Sequence, residues 1–248
     1  MSVKRSTVSG LHAVTGLLLK NPERIRRLHV LSGRDDKRIQ EILKLAQDQK
    51  IPVERLSREA LGALSQSEQH QGVLAECDAP RSFSEADLQA LLAESKNPPL
   101  ILILDGVQDP HNLGACLRSA DAAGVTAVIV PKDRSVGLTE TVVRVASGAA
   151  DTVPLIQVTN LARTMSALKK QAVWIYGAAA EAERNVYAEK LTGPVALVMG
   201  AEGSGLRRLT AEHCDGLLKI PLQGSVSSLN VSVATGIFLF EVVRQRNG

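Results

Sequence analysis

Leu100-Ile-Leu-Ile-Leu-Asp-Gly-Val-Gln-Asp-Pro-His-Asn-Leu-Gly-Ala-Cys-Leu-Arg118 decides the fold. It opens with an unbroken apolar run, the pattern of a strand covered on both faces, as in a parallel sheet. Asp105-Gly106 and Asp109-Pro110 are turn pairs, Asn112 can cap the helix that runs to about Ala123, and Gly124 ends it. Val125-Thr-Ala-Val-Ile-Val130 is the next strand. The result is a short βαβ unit whose loop delivers Asn112 and whose helix carries Arg118 toward the strand ends, where sites in α/β sheets form.

Further along, the alternation continues: a helix over Thr139 to Ala149, a strand about Val153 to Val158, a helix from Asn160 to Gln171, and strands at Ala172 to Tyr176 and Pro194 to Met199. It predicts an α/β domain with a parallel sheet between helices. Two loops rich in Gly and Ser follow, Met199-Gly-Ala-Glu-Gly-Ser-Gly205 and Ile220-Pro-Leu-Gln-Gly-Ser-Val-Ser-Ser-Leu-Asn230. Glycines let the backbone come close to a ligand, and Glu202 is the one charge in its loop. A phosphate-gripping P-loop is excluded, because Gly200 and Gly205 have its spacing but Leu206 stands where lysine is required. A dinucleotide fingerprint fails as well, since Gly203-Ser-Gly205-Leu-Arg-Arg208 lacks the third glycine. The last helix, about Ser228 to Arg246, sets Leu229, Val233, Ile237, Phe240 and Val243 on one stripe, suited to core packing and to a dimer interface.

Residues 1–77 form a second, small α/β unit, with a helix near Gly10 to Lys20, a strand near Ile25 to Leu31 and a helix over Asp36 to Gln49 that turns Ile39, Ile42, Leu43 and Ala46 to one face. Residues 78–98, with Pro80, Pro98 and Pro99 around a short helix capped by Ser84, are the linker, and 99–248 the larger domain. The net charge of +3 is unevenly spread: residues 1–77 hold 13 Lys/Arg against 9 Asp/Glu, residues 78–248 hold 16 against 17. Arg24, Arg26, Arg27, Arg34, Lys37 and Arg38 cluster as a phosphate-contacting face would, and equally as a solvated surface would. With six aromatics in the chain, base stacking is not the main mode of recognition.

Cys77, Cys116 and Cys214 are far apart and form no metal or disulfide pattern, and the five histidines show no ligand spacing, so no metal is expected. Cys116, close to Arg118, could be a nucleophile but suits packing better. No apolar run spans a membrane and the N-terminus lacks a secretory signal, which points to a cytoplasmic protein.

Asp105 to Arg118, Met199 to Gly205 and Ile220 to Ala234 resemble, in order and spacing, the three motifs of SpoU-type RNA ribose 2'-O-methyltransferases of the SPOUT superfamily, most closely the bacterial 23S rRNA guanosine enzymes. The likeness covers the C-terminal two thirds, and Ser204 departs from the acidic residue often found there. The resemblance implies an S-adenosylmethionine-dependent enzyme with a C-terminal trefoil knot, a homodimeric active site, a ribosomal-protein-like RNA-binding domain in front, and large-subunit rRNA as partner. It implies Arg118, Asn112, Glu202, Ser228 and Asn230 as catalytic residues, and cofactor contacts at Met199, Gly200, Ala201, Ile220, Leu222 and Leu229. Arg118 is often drawn as general base in this family, but a guanidinium stays protonated, so a phosphate-holding or charge-stabilising role suits it better. A tRNA ribose methyltransferase and a non-catalytic RNA-binding protein are the alternatives. A nucleotide-dependent oxidoreductase lacks its ribose-binding acid.

Overall fold

The computed structural model describes residues 5–65, 70–78 and 83–248. The chain divides into two compact units, Met1–Arg81 with Ser147–Thr152, and Ser82–Ala146 with Val153–Gly248.

The order of elements in the first half is β1 (Arg5–Ser9), α1 (Leu11–Lys20), β2 (Ile25–Leu31), α2 (Lys37–Asp48), β3 (Val53–Leu56), α3 (Arg58–Ser65), β4 (Val73–Asp78) and α4 (Glu85–Glu94). Then come β5 (Leu100–Asp105), α5 (Pro110–Ala122), β6 (Ala127–Pro131), α6 (Glu140–Ala146), α7 (Ala149–Thr152), β7 (Leu155–Val158), α8 (Leu161–Lys169) and β8 (Trp174–Ala178). The C-terminal part holds β9 (Arg184–Asn185), β10 (Val195–Gly200), α9 (Arg208–Glu212), β11 (Gly216–Lys219) and α10 (Val231–Asn247).

The first unit is built on a four-stranded sheet of order β1-β4-β2-β3, antiparallel except for the β2–β3 pair. Helix α2 starts where the Asp36 carboxylate accepts the Arg38 and Ile39 amide hydrogens at 3.1 and 3.3 Å, a cap that contributes about 1 kcal/mol. Its Ile39, Ile42 and Ala46 are buried in one cluster with Val14, Leu17 and Leu28, with Leu43 half-buried beside them.

The second unit holds a seven-stranded, all-parallel sheet of order β7-β6-β5-β10-β8-β11-β9. Every residue of β5 is buried, as its unbroken apolar run requires. Ile101, Ile103, Ile129 and Val198 pack with Met165 and Leu168 of α8, each side chain contributing roughly 1.5–3 kcal/mol by burial. Helix α5 packs against α6 and α10. Gly114 permits the first of these contacts, because a Cβ there would lie 2.6 Å from Cβ of Val145.

Three features differ from what the sequence predicts. Helix α5 begins two residues before Asn112: Asp109 is the cap, accepting the His111 amide at 2.8 Å, and Pro110 takes the first helical position, where a missing N–H costs nothing. The helix after β6 ends at Ala146, where Ser147 and Gly148 take φ of +52° and +92°, and Ala149–Thr152 is a separate turn of helix belonging to the first unit. The expected core stripe of the last helix is also corrected. Val231, Thr235, Phe238, Leu239 and Val242 are buried, whereas Val233 and Phe240 are 52% and 49% exposed and Leu229, Ile237 and Val243 are only half-buried. A helix with apolar residues on several faces does not reveal by period alone which face packs.

Candidate active site

The three loops predicted to carry the chemistry leave the C-terminal ends of β5, β10 and β11, the edge on which open parallel sheets build sites. β5 and β10 are hydrogen-bonded neighbours, with Asp105 opposite Gly200, so the loops after them start side by side. After β10 the chain folds back at once: Ala201 and Gly205 exchange both backbone hydrogen bonds at 3.0 Å. Gly200 makes this closure possible, since a Cβ there would sit 2.2–2.3 Å from the carbonyl group of Gly205. The tight loop presents Glu202 at its tip.

Glu202 is met by amides from the other two loops. Its Oε1 accepts hydrogen bonds from Asn112 Nδ2 at 2.9 Å and Asn230 Nδ2 at 2.8 Å, and Asn230 Nδ2 lies 3.0 Å from Asn112 Oδ1. Asn230 also caps α10, its Oδ1 accepting from the Ser232 amide at 2.9 Å and the Ser232 hydroxyl at 2.6 Å. Asn112, 7% exposed, is therefore a cross-loop tie rather than the cap of its own helix. One carboxylate and two neutral amides draw the three loops together, and Glu202 Oε2 takes no hydrogen bond among the described residues.

The other expected residues lie outside this cluster. Arg118 is exposed on α5 and makes no ion pair or side-chain hydrogen bond among the described residues, which sets aside a structural salt bridge. Ser228 is exposed and likewise unpaired. Met199 is 2% exposed, buried within the sheet, while Gly200, Ala201, Ile220, Leu222 and Leu229 are half-buried. Among the described residues, the backbone of Leu222–Leu229 makes no hydrogen bond to other backbone. Its N–H and C=O groups are open to a ligand between half-buried leucines, a donor set that fits the edge of an adenine ring and a short polar tail.

Sequence reasoning missed the support beneath the loops. Asp105, 1% exposed at the end of β5, receives the Arg207 guanidinium, with Nε donating at 2.7 Å and Nη2 also bonded to the same oxygen. The Arg207 backbone amide lies 3.4 Å from the second oxygen. This charge-assisted fork ties the start of the first loop to the end of the second, and it raises the Arg207 pKa through the hydrogen bond to Asp105. A lone carboxylate closing an apolar strand was the available signal.

The basic cluster of the first unit is more committed than its sequence suggested. Arg24 is a correction: its side chain is 12% exposed and paired with Asp151 at 2.6 Å, so it holds structure rather than offering charge. Arg26 pairs with Asp78 at 2.6 Å, Arg27 with Glu54 at 3.0 Å and Arg34 with Asp36 at 2.5 Å, while Lys37 and Arg38 have no partner among the described residues.

Comparison with known proteins gives the assembly its place. The model of the SpoU rRNA methylase family matches residues 99–240, and that of the RNA 2'-O ribose methyltransferase substrate-binding domain matches residues 7–83. The chain belongs to the SpoU rRNA methylase family. Curated relatives named 23S rRNA (guanosine-2'-O-)-methyltransferase RlmB include those of Haemophilus influenzae, 56% identical over 97% of this chain and 98% of the relative, and Pectobacterium atrosepticum, 55% identical over the same shares. That of Escherichia coli K12 is 56% identical, again over 97% and 98%. A crystal structure of an RNA 2'-O ribose methyltransferase is 27% identical with a TM-score of 0.77, covering 100% of this chain and 91% of that one. The SpoU methyltransferase AviRb of Streptomyces viridochromogenes, solved with AdoMet, shares the fold at 23% identity and a TM-score of 0.76, covering 98% and 91%. All three sequence motifs fall within or run up to the matched SpoU segment.

Cys116 is a packing residue in the contact between α5 and α10. Burial pushes the Cys116 thiol up to about 11, and its Sγ lies 3.5 Å from the Thr235 hydroxyl inside the α5–α10 contact. A thiol held protonated at neutral pH is a poor nucleophile. Cys116→Ser is expected to keep methyl transfer within about twofold, a difference below 0.5 kcal/mol, measured as initial rate. A collapse of activity with the fold intact would return Cys116 to the mechanism.

Proposed function

We propose that this chain transfers the methyl group of S-adenosylmethionine to the ribose 2'-oxygen of a guanosine in 23S rRNA. The observation that carries the reading is the Asn112–Glu202–Asn230 cluster, which joins three loops on one sheet edge beside a ligand-ready backbone segment and the unpaired Arg118. The RlmB relatives, aligned over nearly the whole chain, support guanosine and 23S rRNA as its target.

The cofactor, when bound, supplies an electrophilic methyl on sulfur, and transfer is an in-line displacement in which the ribose oxygen gains the methyl as its proton leaves. Met199, Gly200, Ala201, Ile220, Leu222 and Leu229 hold the cofactor, largely through backbone groups. Asn112, Glu202, Ser228 and Asn230 would fix the ribose by hydrogen bonds and so hold its 2'-oxygen in position for attack. Arg118 grips the phosphate next to the target and offsets the charge developing on oxygen, while that phosphate accepts the proton. Residues 1–77 form the RNA-binding domain, with Arg26, Arg27, Arg34, Lys37 and Arg38 on the RNA side, residues 78–98 lead out of it, their helix α4 packing into the core of the second unit, and 99–248 form the catalytic domain. The order β5-β10-β8 and the return of α10 onto α5 are in keeping with a trefoil knot. Among the described residues no helix is long and apolar enough to cross a membrane and no group of three or more His, Cys, Asp or Glu could hold a metal. The enzyme works in the cytoplasm.

The catalytic domain forms a homodimer through the apolar face of α10 left open in the single chain, with Val233 and Phe240 at its centre. Phe240→Glu is expected to shift sedimentation from dimer to monomer and to lower the rate of transfer. A dimer of unchanged strength would place the interface elsewhere.

The substrate is tested by offering labelled S-adenosylmethionine with 23S rRNA or with tRNA. Label is expected in 23S rRNA, and label in tRNA alone would keep the reaction and replace its substrate.

A further inference from the structure

Among the described residues five that are not glycine take a left-handed backbone, and four have a local reason. Lys50, Ser147 and Ala172 end helices α2, α6 and α8, and Gln71 turns into β4. Arg134, with φ of +65°, is the exception, standing in the loop between β6 and α6. A left-handed conformation strains an L side chain, and glycine or asparagine is the usual occupant of such a position. Strain retained at an exposed residue points to a task for its side chain.

The position says what the task is. β6 is the sheet neighbour of β5, and its loop leaves the same C-terminal edge as the loop bearing Asn112. The two loops are joined at Val107, whose carbonyl accepts the Val136 amide at 3.3 Å and the Ser135 hydroxyl at 3.4 Å. At its base the Lys132 amide is held by the Val158 carbonyl at 2.8 Å. Lys132 and Arg134 are exposed, and among the described residues neither has a side-chain partner, nor does the intervening Asp133. The backbone is tied down on both sides of a guanidinium that the protein itself leaves unused.

We propose that Arg134, supported by Lys132, is a phosphate clamp on the rim of the active site, gripping the RNA backbone beside the nucleotide that Asn112, Glu202 and Arg118 address. This rests on the proposed RNA methylation and adds a contact outside the three motifs and outside the basic cluster of the first unit. The tethered backbone sets where the side chain starts, and a planar guanidinium fork loses less entropy per hydrogen bond to phosphate than a lysine ammonium would.

The test uses the full chain and the variants Arg134→Gly, which suits the backbone and removes the cation, and Arg134→Lys. For Arg134→Gly, KM for a 23S rRNA substrate is expected to rise about tenfold, the loss of one charge-assisted contact. The log–log salt dependence of RNA binding should flatten by roughly 0.7–0.9, one phosphate's share. Affinity for S-adenosylmethionine and the melting temperature should not fall. Arg134→Lys should keep most of the salt slope. Wild-type KM and slope in Arg134→Gly would overturn the clamp. So would weakened cofactor binding, which would make the cofactor's carboxylate the anion, or a lowered melting temperature, which would make the side chain structural. Filter binding of RNA without cofactor separates the two readings: an unaltered protein that binds RNA but transfers no methyl removes the proposed reaction, while the change in slope still decides Arg134.

Discussion

Arg118→Ala is expected to lower kcat/KM for RNA by about a hundred- to a thousandfold, the loss that follows removal of one preorganised donor from a transition state. Cofactor affinity should stay within about twofold, under 0.5 kcal/mol, because this cation is directed at RNA and not at the sulfonium. The side chain is exposed and unpaired among the described residues, so its loss leaves no buried carboxylate stranded, and the fold should survive. Arg118→Lys should recover little, since an ammonium cannot reproduce a planar fork on phosphate. Single-turnover transfer and cofactor titration read the two quantities separately, and a matching collapse in cofactor affinity would contradict the assignment.

Arg207→Ala has the largest expected effect on stability. It leaves the Asp105 carboxylate, whose side chain is wholly buried, without its cation. Breaking such a pair from one side costs about 3 kcal/mol, or roughly 6–12 °C in melting temperature for a chain of this size. Asp105→Asn should cost less, because the Arg207 side chain is 43% exposed and can turn to water. Thermal denaturation orders the two variants, and equal small losses would mean that the fork carries little. Cofactor affinity should fall with Arg207→Ala as well, since the same contact sets where the Glu202 loop begins.

Much of this architecture is legible in the chain because burial on both faces of a parallel sheet leaves an unmistakable record. Leu100 to Leu104 and Pro194 to Met199 are strands on their apolar content alone, and glycine-bearing loops after them mark the working edge. The four-residue β11, Gly216–Lys219, leaves too short a record to be read. Helix α10 is legible as a helix but not in its orientation, because its residues are apolar on more than one face and only packing against α5 selects Phe238 and Leu239 over Val233 and Phe240.

The site divides in the same way. Glu202, Asn112 and Asn230 stand out by chemistry and motif, yet their convergence joins positions 90, 118 and 28 residues apart, a distance that no local pattern encodes. Asn112 is the instructive case: beside a turn it has the look of a helix cap, and the Asp109-Pro110 pair takes that task and frees it. Arg24 failed for the opposite reason, since its partner Asp151 lies 127 residues away and turns an apparent surface charge into a buried contact.

The position of the transferred methyl tests the account most directly. RNA methylated with labelled S-adenosylmethionine is hydrolysed in alkali, where a free 2'-oxygen attacks the neighbouring phosphate and a methylated one cannot. Label is expected in an alkali-resistant dinucleotide that begins with guanosine. Label recovered in mononucleotides would place the methyl on a base and contradict the ribose chemistry derived from Asn112, Glu202, Asn230 and Arg118.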